Sequence, residues 1–169
     1  MTLGNDPSSR DRPASAGRDK ALARLLLSGF GAGYVPLAPG TAGSLLALFL
    51  SVPLLLAPGW LLAAAVTAAS LGGLWATRAV RLEGDPGWVV IDEIAGQWLA
   101  LLGLARPTLT GLAAALALFR LLDIVKPGPV GWADRQGGCI GVMADDLAAG
   151  AFAAGILWAV RSGWAAFFN

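Results

Sequence analysis

Two pairs of adjacent carboxylates stand at the edges of apolar stretches: Asp92 and Glu93 in Val90-Ile-Asp-Glu-Ile-Ala-Gly, and Asp145 and Asp146 in Gly141-Val-Met-Ala-Asp-Asp-Leu-Ala-Ala-Gly. A fifth acid, Asp123, lies in Phe119-Arg-Leu-Leu-Asp-Ile-Val-Lys-Pro, where Arg120, Asp123 and Lys126 recur every third residue and so share a helical face. An unpaired carboxylate in apolar surroundings costs several kcal/mol or takes up a proton, so each of these acids must meet water, a counter-ion or a metal. One acid in a first helical turn serves as a cap and dipole partner worth roughly 1 kcal/mol. Two in succession point about 100° apart and repel unless a cation lies between them, and the arrangement occurs twice. Carboxylate oxygens are hard ligands suited to Mg²⁺, Mn²⁺ or Ca²⁺. Arg120 and Lys126 carry the complementary chemistry, since a basic pair beside a metal-binding acid can hold a phosphate. The plainer alternative for that turn is a surface ion-pair ladder worth roughly a few tenths of a kcal/mol.

What is missing narrows the chemistry further. The chain of 169 residues has no histidine and one cysteine, Cys139, so Ser-His-Asp hydrolysis, phosphohistidine intermediates, His-bound zinc and Cys-His nucleophiles each lack a part. A cysteine-phosphatase loop needs an arginine six positions after the cysteine, where this chain has Asp145. A net charge of +1 argues against a nucleic-acid partner. Gly29, Gly31 and Gly33 superficially resemble a dinucleotide loop, but no strand precedes them, so no nucleotide cofactor is expected.

The elements that must position these residues are strongly apolar: 56% of the chain is hydrophobic and only 14% charged, against about 25% charged in soluble domains. Residues 1–20 read as a flexible polar tail and 21–169 as one helical domain, opened by a short helix from Ala21 to Leu27. The apolar stretches Thr41–Ala57, Gly59–Thr77, Ile94–Ala105, Pro107–Phe119 and Leu147–Val160 are candidate spans, the middle pair short, and predict an all-α bundle of four to five apolar helices crossing a membrane several times. If they alternate, Arg10, Arg12, Arg18, Lys20, Arg24, Arg78, Arg81, Arg120, Lys126 and Arg135 fall on one side and only Arg106 and Arg161 on the other, which makes the first side cytoplasmic. All 11 acids fall on that side too, at span ends or in loops. Two loops complete the set. Trp132-Ala-Asp-Arg-Gln-Gly-Gly, after Pro127 and Pro129, offers Asp134 and Arg135 with glycines at 137, 138 and 141 that permit close backbone approach. The stretch Gly29-Phe-Gly-Ala-Gly, then Ala38-Pro-Gly-Thr-Ala-Gly-Ser, ends in Thr41, able to cap a helix or to bind an anion.

Taken together, Gly-Phe-Gly-Ala-Gly with Ala-Pro-Gly-Thr-Ala-Gly-Ser, Ile-Asp-Glu-Ile-Ala-Gly, Phe-Arg-Leu-Leu-Asp-Ile-Val-Lys-Pro, Asp-Arg and Gly-Val-Met-Ala-Asp-Asp-Leu-Ala-Ala-Gly resemble the phosphatidylglycerophosphatase A family over about residues 23–160. One departure is Cys139, which stands where the family has a glycine. The resemblance implies a bacterial inner-membrane enzyme with Mg²⁺ as cofactor and a phospholipid substrate, removing the terminal phosphate of phosphatidylglycerophosphate on the cytoplasmic side. Under it, Asp92, Glu93, Asp123, Asp145 and Asp146 are the expected metal-binding and catalytic residues, and Arg120, Lys126, Arg135 and Thr41 the expected phosphate-binding ones. The residue pattern leaves open whether water or an aspartate attacks phosphorus. The competing class is a small ion-coupled transporter subunit, which would place acids within spans rather than at their ends.

Overall fold

The computed structural model describes residues 14–168, with side chains placed for residues 17–163. The start of the expected tail, including Arg10 and Arg12, lies outside the described residues. The described residues form α1 (Ala14–Leu27), α2 (Pro39–Leu55), α3 (Trp60–Val80), α4 (Ile91–Leu101), α5 (Leu109–Val125), α6 (Pro129–Asp134) and α7 (Gly138–Phe168), with one 3₁₀ turn at Ala32–Tyr34 and no strand among them. The all-α expectation holds. The first helix starts at Ala14, ahead of the expected Ala21, so the end of the expected tail is helical.

Proline and glycine set the remaining boundaries. Pro58 and Gly59 separate α2 from α3, and Pro107 precedes α5, whose N-cap Thr108 accepts a hydrogen bond from the Gly111 amide (3.1 Å). Pro127 follows α5, but the stretch expected to be a loop then contains α6, with Pro129 in its first turn. A proline there forfeits no helical hydrogen bond and its fixed φ suits the turn. The larger correction concerns α7. It begins at Gly138 rather than near Leu147, so Asp145 and Asp146 lie within the helix and do not open it. Aspartate is only a mild helix breaker, and no proline intervenes between Gly138 and the apolar stretch, so nothing stops the helix before it reaches the acids.

The central helix is α4, which packs against α2, α3, α5 and α7. Its contact with α7 is backbone against backbone. A Cβ at Gly96 would stand 2.6 Å from the Asp146 carbonyl oxygen, one at Gly150 would collide with the Gly96 carbonyl, and one at Gly103 with that of Ala154. The paired numbers rise together, so α4 and α7 run parallel. Their small residues permit the close approach. The aromatic side of the same seam is Phe119 of α5, fully buried, whose ring lies 2.6 Å from the position of a Cβ at Gly96. The second helix is tied to α4 by Trp98, whose Nε1–H donates to the Ala47 carbonyl (2.8 Å).

Fewer helices are long enough to span a membrane than the sequence suggests. Among the described residues two qualify by length and composition, Trp60–Val80 and Gly138–Gly163. The second helix ends after 17 residues, and α4, with 11, covers about 16 Å at 1.5 Å per residue against a hydrocarbon core of about 30 Å. The apolar character of α4 is spent inside the protein: Ile91, Ile94, Ala95, Ala100 and Leu101 are all buried. By contrast Phe49, Val52, Leu56, Leu71, Trp75, Phe152, Ile156 and Trp158 stand exposed on α2, α3 and α7 and their ends.

Candidate active site

The parallel seam decides where the acids go. Asp92 and Glu93 occupy the first turn of α4, and Asp146 of α7 faces Gly96 one turn further along, so the two acid pairs meet at one end of the bundle. The fifth helix runs toward the same end and delivers Arg120 and Asp123 near its C-terminus. Asp92, Glu93 and Asp146 each offer an oxygen within 4.8 Å of the others, and so do Asp123, Asp145 and Asp146. All five acids expected from the sequence are therefore brought together.

Capping accounts for little of this. The N-cap of α4 is Val90, with no side-chain cap, and only one oxygen of Asp92 is used locally, accepting from the Glu93 amide at 3.0 Å. Asp145 and Asp146, inside α7, cap nothing. Asp92 is 4% exposed and Asp146 4%, while Asp146 Oδ1 and Glu93 Oε2 are buried without a hydrogen-bond partner among the described residues. Burial, and then the charge of Glu93, push the Asp92 carboxyl well above its ordinary range. Burial also raises Glu93, although the Asp92 hydrogen bond and Arg120 pull it back. A cluster of buried acids with unpartnered oxygens fits a divalent cation, whose charge offsets the desolvation that otherwise favours protonation.

The basic residues brace the cluster. Arg120 donates to Asp123 (2.7 Å), lies 4.0 Å from Glu93, and keeps a buried Nε with no partner. The partial burial of this pair rules out the solvated ion-pair ladder. Lys126, in left-handed conformation at the end of α5, donates to Asp145 (2.7 Å) and to Asp134. Burial alone would lower the Lys126 ammonium, but hydrogen bonds to Asp134 and Asp145 outweigh it and hold the lysine charged. Arg135 makes no such pair among the described residues; it is exposed, with its guanidinium lying along α6 near Gly131.

The second helix also points its N-terminus into the site. Its cap is Ala38, not Thr41, which sits half-buried in the first turn. At Gly40 a Cβ would fall on the Glu93 carboxylate and within 2.9 and 3.0 Å of the Arg120 guanidinium nitrogens, so only glycine leaves this approach open. The earlier glycines have a different task. Gly33 lies against the Trp88 backbone, and Tyr34 stacks on the Trp88 ring with centroids 6.1 Å apart, fastening the first loop to the segment before α4. One acid escaped the sequence reading. Asp85, in the loop between α3 and α4, lines a cleft of about 170 Å³ with Asp134, Gly137, Gly138, Gly141 and Asp145. Partial desolvation and then Asp145 raise its carboxyl. The Gly-Asp-Pro-Gly around it reads as a plain turn, so no local signal marks it. Gly137 and Gly138, with φ of 64° and 61°, form the turn that brings the cleft wall back to α7.

The family model of phosphatidylglycerophosphatase A matches residues 25–161. The chain belongs to that family. It is 35% identical over 144 residues to phosphatidylglycerophosphatase A of Escherichia coli K12, covering 83% of this chain and 84% of the relative. It is 34% identical over 142 residues to phosphatidylglycerophosphatase A of Haemophilus influenzae, covering 81% and 87%. It is also 41% identical over 146 residues to a putative phosphatidylinositol-3-phosphatase of Bacteroides thetaiotaomicron, covering 80% and 91%. No solved structure matches it significantly. Membership makes the protein a phosphatase acting on a phosphate monoester and sets aside the transporter reading. Asp145 and Asp146 lie inside α7 and not at a span end or in a loop, so the position of the acids does not separate a phosphatase from a transporter; the family does.

Proposed function

We propose that this protein is a Mg²⁺-dependent lipid phosphatase that removes the terminal phosphate of phosphatidylglycerophosphate at the cytoplasmic face of a bacterial inner membrane. The observation that carries the proposal is the convergence of five acids, two of them with unpartnered buried oxygens, beside Arg120 and Lys126. Asp92, Glu93, Asp123, Asp145 and Asp146 would hold the cation. Bound there, Mg²⁺ supplies positive charge to the phosphoryl oxygens and to the departing alkoxide.

The chain's own residues do the rest. Arg120 and Lys126 balance part of the phosphate charge, and their carboxylate partners fix where each cation points. The free amides at the start of α2, at Gly40 and Thr41, give a helix N-terminus that favours an anion. Arg135, exposed at the end of α6 next to Asp134 of the cleft, would meet the lipid headgroup. The apolar residues exposed on α2, α3 and α7 would face acyl chains, with α3 and α7 crossing the bilayer and the basic end of the bundle in the cytoplasm.

The Bacteroides relative favours a second reading in which the headgroup is phosphorylated inositol. One experiment tests both. The purified protein in detergent is offered phosphatidylglycerophosphate or phosphatidylinositol 3-phosphate, and phosphate release is followed with Mg²⁺ and with chelator. Mg²⁺-dependent release from the first at much higher kcat/KM is the expected result. Preference for the inositol lipid would replace the substrate, and full activity in chelator would remove the metal from the proposal.

A further inference from the structure

The acids do not form one group of five. They separate into two triads, Asp92–Glu93–Asp146 and Asp123–Asp145–Asp146, which share only Asp146. Asp146 Oδ1, like Glu93 Oε2, is buried with no hydrogen-bond partner among the described residues, and Asp146 as a whole is 4% exposed. We propose that the site takes two divalent cations, with Asp146 bridging them, Asp92 and Glu93 completing one ligand set and Asp123 and Asp145 the other. This rests on the metal-dependent reading above and goes beyond it in number and assignment.

Three observations converge on it. The two oxygens of a carboxylate can each take one ion of a pair about 3.5–4 Å apart, the separation common in two-metal phosphoryl-transfer sites. The two triads are flanked differently: the start of α2 adjoins Glu93 of the first set through Gly40, Lys126 and the glycine-lined cleft adjoin Asp145 of the second, and Arg120 spans the two, hydrogen-bonded to Asp123 (2.7 Å) and 4.0 Å from Glu93. Charge balance points the same way. Five carboxylates less Arg120 and Lys126 leave three negative charges. Asp85 and Asp134, on the second side, raise this to five, so one divalent ion leaves three negative charges facing a phosphate monoester and two leave one.

Mn²⁺ is a suitable probe because its spin reports both number and proximity. The full chain in detergent would be titrated with Mn²⁺ by calorimetry and examined by electron paramagnetic resonance at low temperature. Two Mn²⁺ per chain with an exchange-coupled spectrum is the expected result. Asp92→Asn and Asp145→Asn should each retain one tightly held, uncoupled Mn²⁺, and Asp146→Asn should lose the coupling and weaken both sites at least tenfold. Circular dichroism would establish that each variant is folded, and the wild-type stoichiometry decides the question if one is not. A single uncoupled Mn²⁺ in the wild type, or two without coupling, would overturn the bridged pair and leave a metal-dependent phosphatase standing. No bound Mn²⁺ together with undiminished phosphate release in chelator would overturn both.

Discussion

The contact between α4 and α7 places the two halves of the site, so a methyl group inserted there should separate them. In Gly96→Ala the new Cβ would lie 2.6 Å from the Asp146 carbonyl oxygen and 2.6 and 2.9 Å from Phe119 ring carbons. Ordinary carbon–oxygen contacts begin near 3.3 Å, so the helices must part by about 0.7 Å. The obstacle is backbone on one side and a fully buried ring on the other, neither free to swing away. Overpacking of this kind costs about 1–3 kcal/mol, partly offset by the roughly 1 kcal/mol that alanine gains over glycine in a helix. The net loss of stability is therefore about 0–2 kcal/mol, small enough for the protein to fold. Catalysis should suffer more, because Asp92 and Glu93 move with α4 and Asp146 with α7. Since a misplacement of about 1 Å can cost a hundredfold, kcat/KM should drop on the order of tenfold to a hundredfold, with weaker Mg²⁺ dependence. Gly155→Ala is the control, on the same α7 but with nothing within 4 Å of the added carbon. It should gain up to about 1 kcal/mol in melting experiments and keep full activity. Phosphate release against Mg²⁺ concentration, beside thermal melts of both variants, tests the pair. Wild-type activity and Mg²⁺ dependence in Gly96→Ala, or an equal loss in Gly155→Ala, would refute the idea that this seam sets the site.

The basic residues should resist conservative exchange. Arg120→Lys gives up a planar group shared by Glu93 and Asp123, so kcat/KM should stay at least tenfold down, as measured by phosphate release. Lys126→Met strands Asp134 and Asp145 without their cation, and a loss of about a hundredfold is expected in the same assay. Trp98→Phe removes the bond to the Ala47 carbonyl, away from the acids; it should cost about 1–2 kcal/mol in thermal melts and leave kcat nearly unchanged. Without a cation, burial and Glu93 hold the Asp92 carboxyl above its ordinary value of 3.8, so the folded state binds its proton more tightly than the unfolded chain. The stability this group contributes is full below the unfolded value and is lost as pH rises through the folded one. Melting temperature in chelator should therefore fall from acid toward neutral pH, and Mg²⁺ should cancel the fall.

Much of the site was legible because its chemistry is local in the sequence. An adjacent acid pair, or an Arg-x-x-Asp-x-x-Lys turn, announces itself whatever surrounds it, and all five acids with Arg120 and Lys126 do converge. Helix type was legible for the same reason, since proline and glycine mark the breaks. Span number was not. Apolar composition is the same whether a helix faces lipid or its neighbours, and only packing reveals that α4 is enclosed by α2, α3, α5 and α7. Asp85 was missed because its part in the cleft depends on where α7 passes. The task of Gly40 was missed because Glu93 and Arg120 arrive from two other helices.

The misplaced start of α7 carries the most weight for function. At a helix opening, acids are ordinary, since free amides and the helix dipole welcome them. Two turns inside a helix those amides are already bonded, and aspartate there loses several tenths of a kcal/mol in propensity relative to alanine. Asp145 and Asp146 also sit where α7 is pressed against α4, so both are desolvated as well. Lys126 answers for Asp145, but nothing among the described residues answers for the free oxygen of Asp146. A position unfavourable for the helix and for solvation, and only half compensated among the described residues, is what the proposed cation would compensate. The placement that defeated the sequence reading of the helix thus strengthens the reading of the acids as cation ligands.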